Sequence, residues 1–237
     1  MDTLILKKKN EVYITVDCDP NIQREISEFF TFYVPGYKFM PAFRNRMWDG
    51  KIRLYSQKTK EIYFGLFPYI RAFAEERGYN IVSEEGVEVN NKVDKDVVKK
   101  FSNSLGQKFE ARDYQIDAIY HSLKFNRSLL LSPTASGKSF IIYSLIRYYT
   151  HLIKDAPNNR ILLIVPTTSL VEQMYSDFES YGWNVKKNCH RLYSGYSNQT
   201  DKKVLISTWQ SLYKLPKAYF EQFGCVFGDE AHLFKSK

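Results

Sequence analysis

The chain has 237 residues, 44% of them hydrophobic and 16% aromatic, with a formal net charge of +8 at pH 7. That length allows one large domain or two small ones, and the basic excess points toward polyanionic partners. No run of about 18 apolar residues occurs, which excludes a membrane-spanning helix, and the acidic start Met1-Asp2 reads as no signal peptide. Three scattered cysteines (Cys18, Cys189, Cys225) and four scattered histidines show no metal-site spacing, the pattern of a reduced, cytoplasmic protein.

Residues 1–85 read as a small α+β unit. Leu4–Leu6 and Val12–Val16 are expected strands around a solvated Lys7-Lys8-Lys9-Asn10 turn. Asp19 caps a helix over 21–32, with Pro20 in its first turn. Lys51–Tyr55 and Glu61–Leu66 are expected to pair as a hairpin, and Phe67–Arg77 to form a helix stopped by Gly78. Pro35–Lys60 holds seven basic residues and one acid, Asp49, interleaved with Tyr37, Phe39, Phe43, Trp48 and Tyr55. Basic side chains bind phosphates and aromatics stack on unpaired bases, which makes Arg44, Arg46, Lys51 and Arg53 candidate nucleic-acid contacts. The alternative is a solvated basic hairpin over an aromatic mini-core that contains Trp48.

A polar stretch, 86–108, reads as a linker with one short helix, Lys95–Leu105. From 109 to 237 strands and helices alternate, the signature of a parallel sheet. Helix Asp113–Phe125 leads to an apolar strand, Ser128–Leu131, and then to Ser132-Pro133-Thr134-Ala135-Ser136-Gly137-Lys138-Ser139. This fits a phosphate loop, with Ser132 in the first glycine place. Loop amides and the positive end of the following helix, 140–151, suit anionic phosphates. Thr134 to Ser139 would cradle the nucleotide, Lys138 would reach its β and γ phosphates, and the Ser139 hydroxyl would bind Mg²⁺. Strand 160–166, helix 169–181, strands Val185–Leu192 and Val204–Ser207, and helix 216–223 follow. A final short strand, Cys225–Gly228, ends on Asp229-Glu230-Ala231-His232. Asp229 would hold Mg²⁺ and Glu230 would orient the attacking water; with Lys138 they are the candidate catalytic residues. ATP and Mg²⁺ are therefore the expected cofactors.

In this order the motifs of 109–237 resemble the first motor domain of superfamily 2 helicases. Ala111-Arg112-Asp113-Tyr114-Gln115 resembles their adenine-reading motif, which implies that Arg112 and Gln115 contact the base. Ile164–Gln173 and Ser207–Leu212 resemble their strand-tracking motifs, which implies nucleic-acid contacts at Pro166, Thr167, Thr208 and Gln210. Plain helix capping by Thr168 or Ser169 is the alternative reading of the hydroxyls there. Gly36–Phe39, Phe43-Arg44, Trp48–Leu54 and Phe64–Leu66 resemble the N-terminal domain of the UvsW-type phage recombination helicases, so the likeness covers nearly the whole chain. The fold it implies is α/β: a RecA-like parallel-sheet motor domain, incomplete at its C-terminus, behind a small α+β DNA-binding domain. The implied function is ATP-driven remodelling of branched DNA (forks, junctions, R-loops) in phage recombination, repair and replication, in the host cytoplasm and alongside other recombination or replication proteins. A chain ending at Lys237 would lack the second motor domain and its arginine finger, and would hydrolyse ATP poorly on its own. A non-enzymatic branched-DNA-binding fragment, or the motor of an RNA helicase or restriction-type system, shares the same motor motifs.

Overall fold

Apolar and polar residues alternate along the first strands, and the alternation sorts them between a core face and solvent. The computed structural model describes residues 2–87, 91–133 and 135–234; Thr134, an expected nucleotide contact, lies outside the described residues. The chain divides into two compact units, Met1–Asn90 and Asn91–Lys237.

In the first unit, β1 (Thr3–Lys8) buries Leu4 and Leu6, and β2 (Tyr13–Asp17) buries Ile14 and Val16. Helix α1 (Pro20–Phe29) follows, and the Asp19 side chain accepts the Asn21 N–H at 2.9 Å as its cap. Then come β3 (Thr31–Tyr33), a 3₁₀ turn at Tyr37–Phe39, α2 (Pro41–Arg44), β4 (Lys51–Arg53), β5 (Tyr55–Ser56) and β6 (Glu61–Tyr63). Helix α3 (Phe67–Arg77) and β7 (Asn80–Ser83) complete the unit. The main sheet has the order β5-β6-β2-β1-β7, with only β1 and β7 parallel, while β3 and β4 form a separate antiparallel ribbon. Leu4, Ile14, Ile26, Ile62, Ile70 and Phe73 meet in the core. Each such side chain contributes about 1.5–3 kcal/mol by leaving water.

Two expectations fail here for one reason. The first helix stops at Phe29 rather than residue 32, because Thr31–Tyr33 pairs with Arg53–Lys51. That same pairing takes Lys51–Arg53 out of the expected hairpin, leaving only Tyr55–Ser56 against Glu61–Ile62. A ladder between distant residues outweighs local propensity.

The second unit contains α4 (Lys95–Asn103), α5 (Asp113–Phe125), α6 (Lys138–Leu152), β8 (Arg160–Val165), α7 (Thr168–Ser180) and α8 (Val185–Asn188). It continues through β9 (Cys189–Leu192), β10 (Val204–Thr208), α9 (Trp209–Leu212), α10 (Lys217–Phe220) and β11 (Phe223–Gly228). The sheet is wholly parallel, in the order β11-β8-β10-β9. β8 and β10 are apolar runs buried on both faces, as a parallel sheet covered by helices requires. Helix α4 belongs to this unit: Val98 lies in one core with Ile119, Phe140 and Leu163. Thr208 pairs with Val165 and Gly228 with Ile164, so three strands end at one carboxyl edge.

Three segments differ from expectation. Val185–Asn188 is a helical turn, because the Asn184 side chain caps it through the Lys187 N–H at 3.0 Å; the strand begins at Cys189. The helix after Pro216 stops at Phe220, since Phe223 already pairs with Arg160. Ser128–Leu131 forms no strand, and Leu129 and Leu131 are 77% and 92% exposed. With Cys225–Gly228 of β11 this segment lines a cleft of about 700 Å³. A strand exists only against a neighbour's N–H and C=O groups, and across this cleft neither segment bonds the other.

Candidate nucleotide site and nucleic-acid surface

The phosphate loop is held by its neighbours. Gly137 sits at φ +76° at the start of α6, and a Cβ on it would lie 2.4 Å from Gln115 Nε2. Only glycine meets both conditions. Ala135 is also left-handed, at φ +62°. Ser132, in the first glycine place, touches the Ser136 hydroxyl at 2.5 Å, and Ser136 Oγ donates to the Pro133 carbonyl at 2.8 Å. The Ser136 carbonyl accepts from Tyr114 OH at 2.8 Å and from Gln115 Nε2 at 3.2 Å. Gln115 Oε1 accepts the Arg112 N–H at 2.9 Å, and the Arg112 guanidinium donates to Tyr114 OH at 2.9 Å. Both ends of the buried Gln115 amide are thus engaged within the chain, tying α5 to the loop.

No side chain caps the first turn of α6. Its amide donors are the kind of group that accepts an anion. Lys138 Nζ lies 2.5 Å from Glu230 Oε1, joining two motifs 92 residues apart. The contact raises the Lys138 ammonium and holds the Glu230 carboxyl below its usual range. Glu230 is left-handed, at φ +49°, and its other oxygen lies 3.4 Å from His232 Nδ1. Asp229 is fixed by its N–H to the Ile164 carbonyl at 2.9 Å and is 7% exposed. It makes no ion pair among the described residues, and its carboxyl is pushed up, first by burial and then by Glu230. A buried acid with no ion pair of its own fits a divalent ion, which would add to the distant charge of Lys138. The Ser139 hydroxyl contacts Tyr181 OH at 2.8 Å and keeps a second lone pair for a metal. Among the described residues, no group of three or more His, Cys, Asp or Glu is placed to hold a metal ion.

At the carboxyl edge, Pro166 and Thr167 follow β8 and Thr208 ends β10, on adjacent strands. Thr167, rather than Thr168 or Ser169, caps α7, accepting the Leu170 N–H at 3.3 Å. Thr208 is buried, with its hydroxyl 3.1 Å from Ser211 Oγ, because it ends a strand covered on both faces; Gln210 is exposed. In the first unit Arg44 and Arg46 are exposed and make no ion pair among the described residues. Lys51 Nζ lies 4.9 Å over the Tyr33 ring, and Arg53 is bound by Asp49. Trp48 donates its indole N–H to the Lys51 carbonyl at 2.9 Å, half-buried, as a structural residue.

Sequence reasoning missed several participants. Tyr114 lies inside a recognised motif, and its hydroxyl was the available signal. Tyr181, the partner of Ser139, carries no local signal. Glu172 binds Arg191 at 2.5 Å and Tyr193 OH at 2.6 Å, a cluster that no spacing announced.

Residues 108–237 match the family model described as "Type III restriction enzyme, res subunit", and residues 4–84 match "DNA helicase UvsW, N-terminal". The chain is 35% identical over 234 residues to the ATP-dependent DNA helicase uvsW of Enterobacteria phage T4, covering 95% of this chain and 46% of that protein. It is 25% identical over 137 residues to the DNA 3'-5' translocase XPB2 of Sulfurisphaera tokodaii, covering 56% of this chain and 27% of that one. The chain thus spans about half the length of the first relative and about a quarter of the second. A crystal structure of the UvsW helicase from bacteriophage T4 superposes with a TM-score of 0.84 at 31% identity, covering 99% of this chain and 84% of that one. A second T4 UvsW structure gives 0.83 at 32% identity, covering 98% and 48%. With a helicase motor domain behind a UvsW N-terminal domain, the chain belongs to the UvsW helicase family.

Proposed function

We propose that this chain is the N-terminal part of an ATP-dependent DNA motor that remodels branched DNA during phage recombination, repair and replication in the host cytoplasm. The observation that supports it most is the contact between Lys138 and Glu230, which brings two distant motifs to the carboxyl edge of a parallel sheet. That edge is where open α/β sheets bind ligands. ATP phosphates would lie on the loop residues 134–139 and the first turn of α6. Ser139 and Asp229 would hold Mg²⁺, which supplies charge neutralisation to the phosphates when bound.

The chain's own residues then act in sequence. A triphosphate arriving on the loop would draw the Lys138 ammonium toward its oxygens and away from Glu230. Once released, the Glu230 carboxylate is free to accept a hydrogen bond from the attacking water and orient it. Gln115, bonded to both Arg112 and the loop, carries the state of the loop to α5; its contact with the adenine is part of the same proposal. Within the second unit DNA phosphates would lie along Pro166, Thr167, Gln210 and the backbone at Thr208, and within the first unit along Arg44 and Arg46.

The test is nucleotide binding and turnover, with and without forked DNA. Lys138→Ala should weaken ATP binding about tenfold to a hundredfold, the worth of a charged hydrogen bond. Glu230→Gln should bind ATP at least as well as the parent and lose turnover. Unchanged binding in the first variant, or unchanged turnover in the second, overturns this reading.

A further inference from the structure

Between β3 and β4 the chain makes a fifteen-residue excursion, Pro35–Asp49, whose backbone is tightly fixed. Val34 N–H to the Gly50 carbonyl closes its base at 2.9 Å. Within it, Tyr37 N–H bonds to Val34, Phe39 to Gly36, Phe43 to Met40, Asn45 to Pro41 and Met47 to Ala42, all at 3.1 Å or less. The Tyr37 ring stacks on Tyr33 at 4.7 Å and lies against Gly50, where a Cβ would come within 2.3 Å of it. Trp48 locks the far end through its indole bond.

This frame presents what a fold normally hides. Phe39 is 85% exposed and Met47 80%, the two most exposed large apolar side chains among the described residues of the first unit. Neither belongs to its core. A single exposed apolar residue needs no explanation, but two on one rigid excursion do. The cations beside them, Arg44 and Arg46, have no ion pair or side-chain hydrogen bond among the described residues. Arg46 is also held left-handed at φ +56°, a conformation that costs energy and persists only where the surroundings impose it.

We propose that this excursion is a base-capping wedge: Phe39 and Met47 pack on bases unstacked at a DNA branch point, while Arg44 and Arg46 hold the flanking phosphates. The inference rests on the branched-DNA reading above and names the element that recognises the branch. Phenylalanine and methionine are side chains that proteins insert between base steps, and aromatic faces accept any base. An intact duplex keeps its bases stacked, so the apolar pair gains most where bases are already unstacked, at a junction or on a single strand. The arginines act on any DNA, because phosphates are everywhere.

The test uses the 237-residue chain and three DNAs of equal length: a fork, a duplex and a single strand. A 2-aminopurine at the branch point of the fork reports unstacking. Phe39→Ala with Met47→Ala should reduce the preference for fork over duplex about tenfold, abolish the 2-aminopurine change, and leave duplex affinity and its salt slope as in the parent. Phe39→Trp and Met47→Leu should retain both. Arg44→Ala with Arg46→Ala should weaken all three DNAs together. A fork preference that survives the apolar double variant, with the arginine effect intact, overturns the wedge alone. A parent chain that binds no DNA, or has no fork preference, overturns the branched-DNA reading as well. Sedimentation showing that Phe39 and Met47 hold two copies of the chain together would also overturn the wedge.

Discussion

The first unit carries two basic clusters, and the fold treats them differently. Lys7, Lys8 and Lys9 read in sequence as part of a solvated turn. In the structure Lys7 meets Glu84 at 2.7 Å, Lys8 meets Glu11 at 2.5 Å and Lys9 meets Glu61 at 2.5 Å. Sheet pairing supplies two of these acids, Glu84 beside β7 and Glu61 on β6, whereas Glu11 sits three residues from Lys8 in the turn. The excursion between β3 and β4 stands outside that sheet, and Arg44 and Arg46 find no such partners. A count of basic residues therefore says less about a binding surface than a count of the acids the fold leaves within reach.

Removing both free arginines is the sharpest way to break this contrast. Arg44→Ala with Arg46→Ala should lower DNA affinity about tenfold to a hundredfold at low salt, and make the slope of log affinity against log salt shallower by about 2, close to 0.9 per lost phosphate contact. Lys7→Ala, Lys8→Ala and Lys9→Ala together should change affinity less than about twofold, since paired surface lysines release few counterions. Equal losses in both variants would erase the distinction.

Loosening the frame is the next test. Gly50→Ala places a Cβ against Tyr37 in a left-handed backbone, and should lower stability by about 1–3 kcal/mol, read from the denaturant midpoint. It should also weaken fork binding if the rigid excursion matters. Freeing paired cations has a smaller effect. Asp49→Asn, which releases Arg53, and Glu61→Gln, which releases Lys9, should each raise DNA affinity about twofold to threefold by adding one available charge; no gain would mean that position, not pairing, silences them.

Acid gives the smallest effect. Lys60 holds Asp17, and Arg53 holds Asp49, below the ordinary aspartate value of 3.8. For such depressed groups, stability is fully present above the unfolded value and is lost as pH falls through the folded one. The melting midpoint should thus stay flat from pH 7 to about pH 5 and slide below about pH 4; a decline that began nearer pH 6 would assign the control to other groups.

Much of this was legible in the sequence where the cause is local. Helix α3 runs from Phe67 to Arg77 as read, because Pro68 favours its first turn and Gly78 ends it. Helix α5 was equally readable, and Lys138 and Glu230, singled out in two separate motifs, lie in contact. What failed depends on distant partners. The β3–β4 ribbon joins residues about twenty apart, and Ser128–Leu131 lacks a neighbour to pair with. The engagement of Gln115 with the phosphate loop and of Ser139 with Tyr181 likewise appears only once helices are packed.

The clasp between Lys138 and Glu230 has a consequence for selectivity. The Glu230 carboxylate at 2.5 Å already faces the ammonium, so an arriving anion must compete with it. A triphosphate brings several charges at once, and the uncapped amides of α6 reward the rest of it. On the proposed nucleotide reading, the clasp would favour polyphosphates over ions that carry one charge, such as chloride.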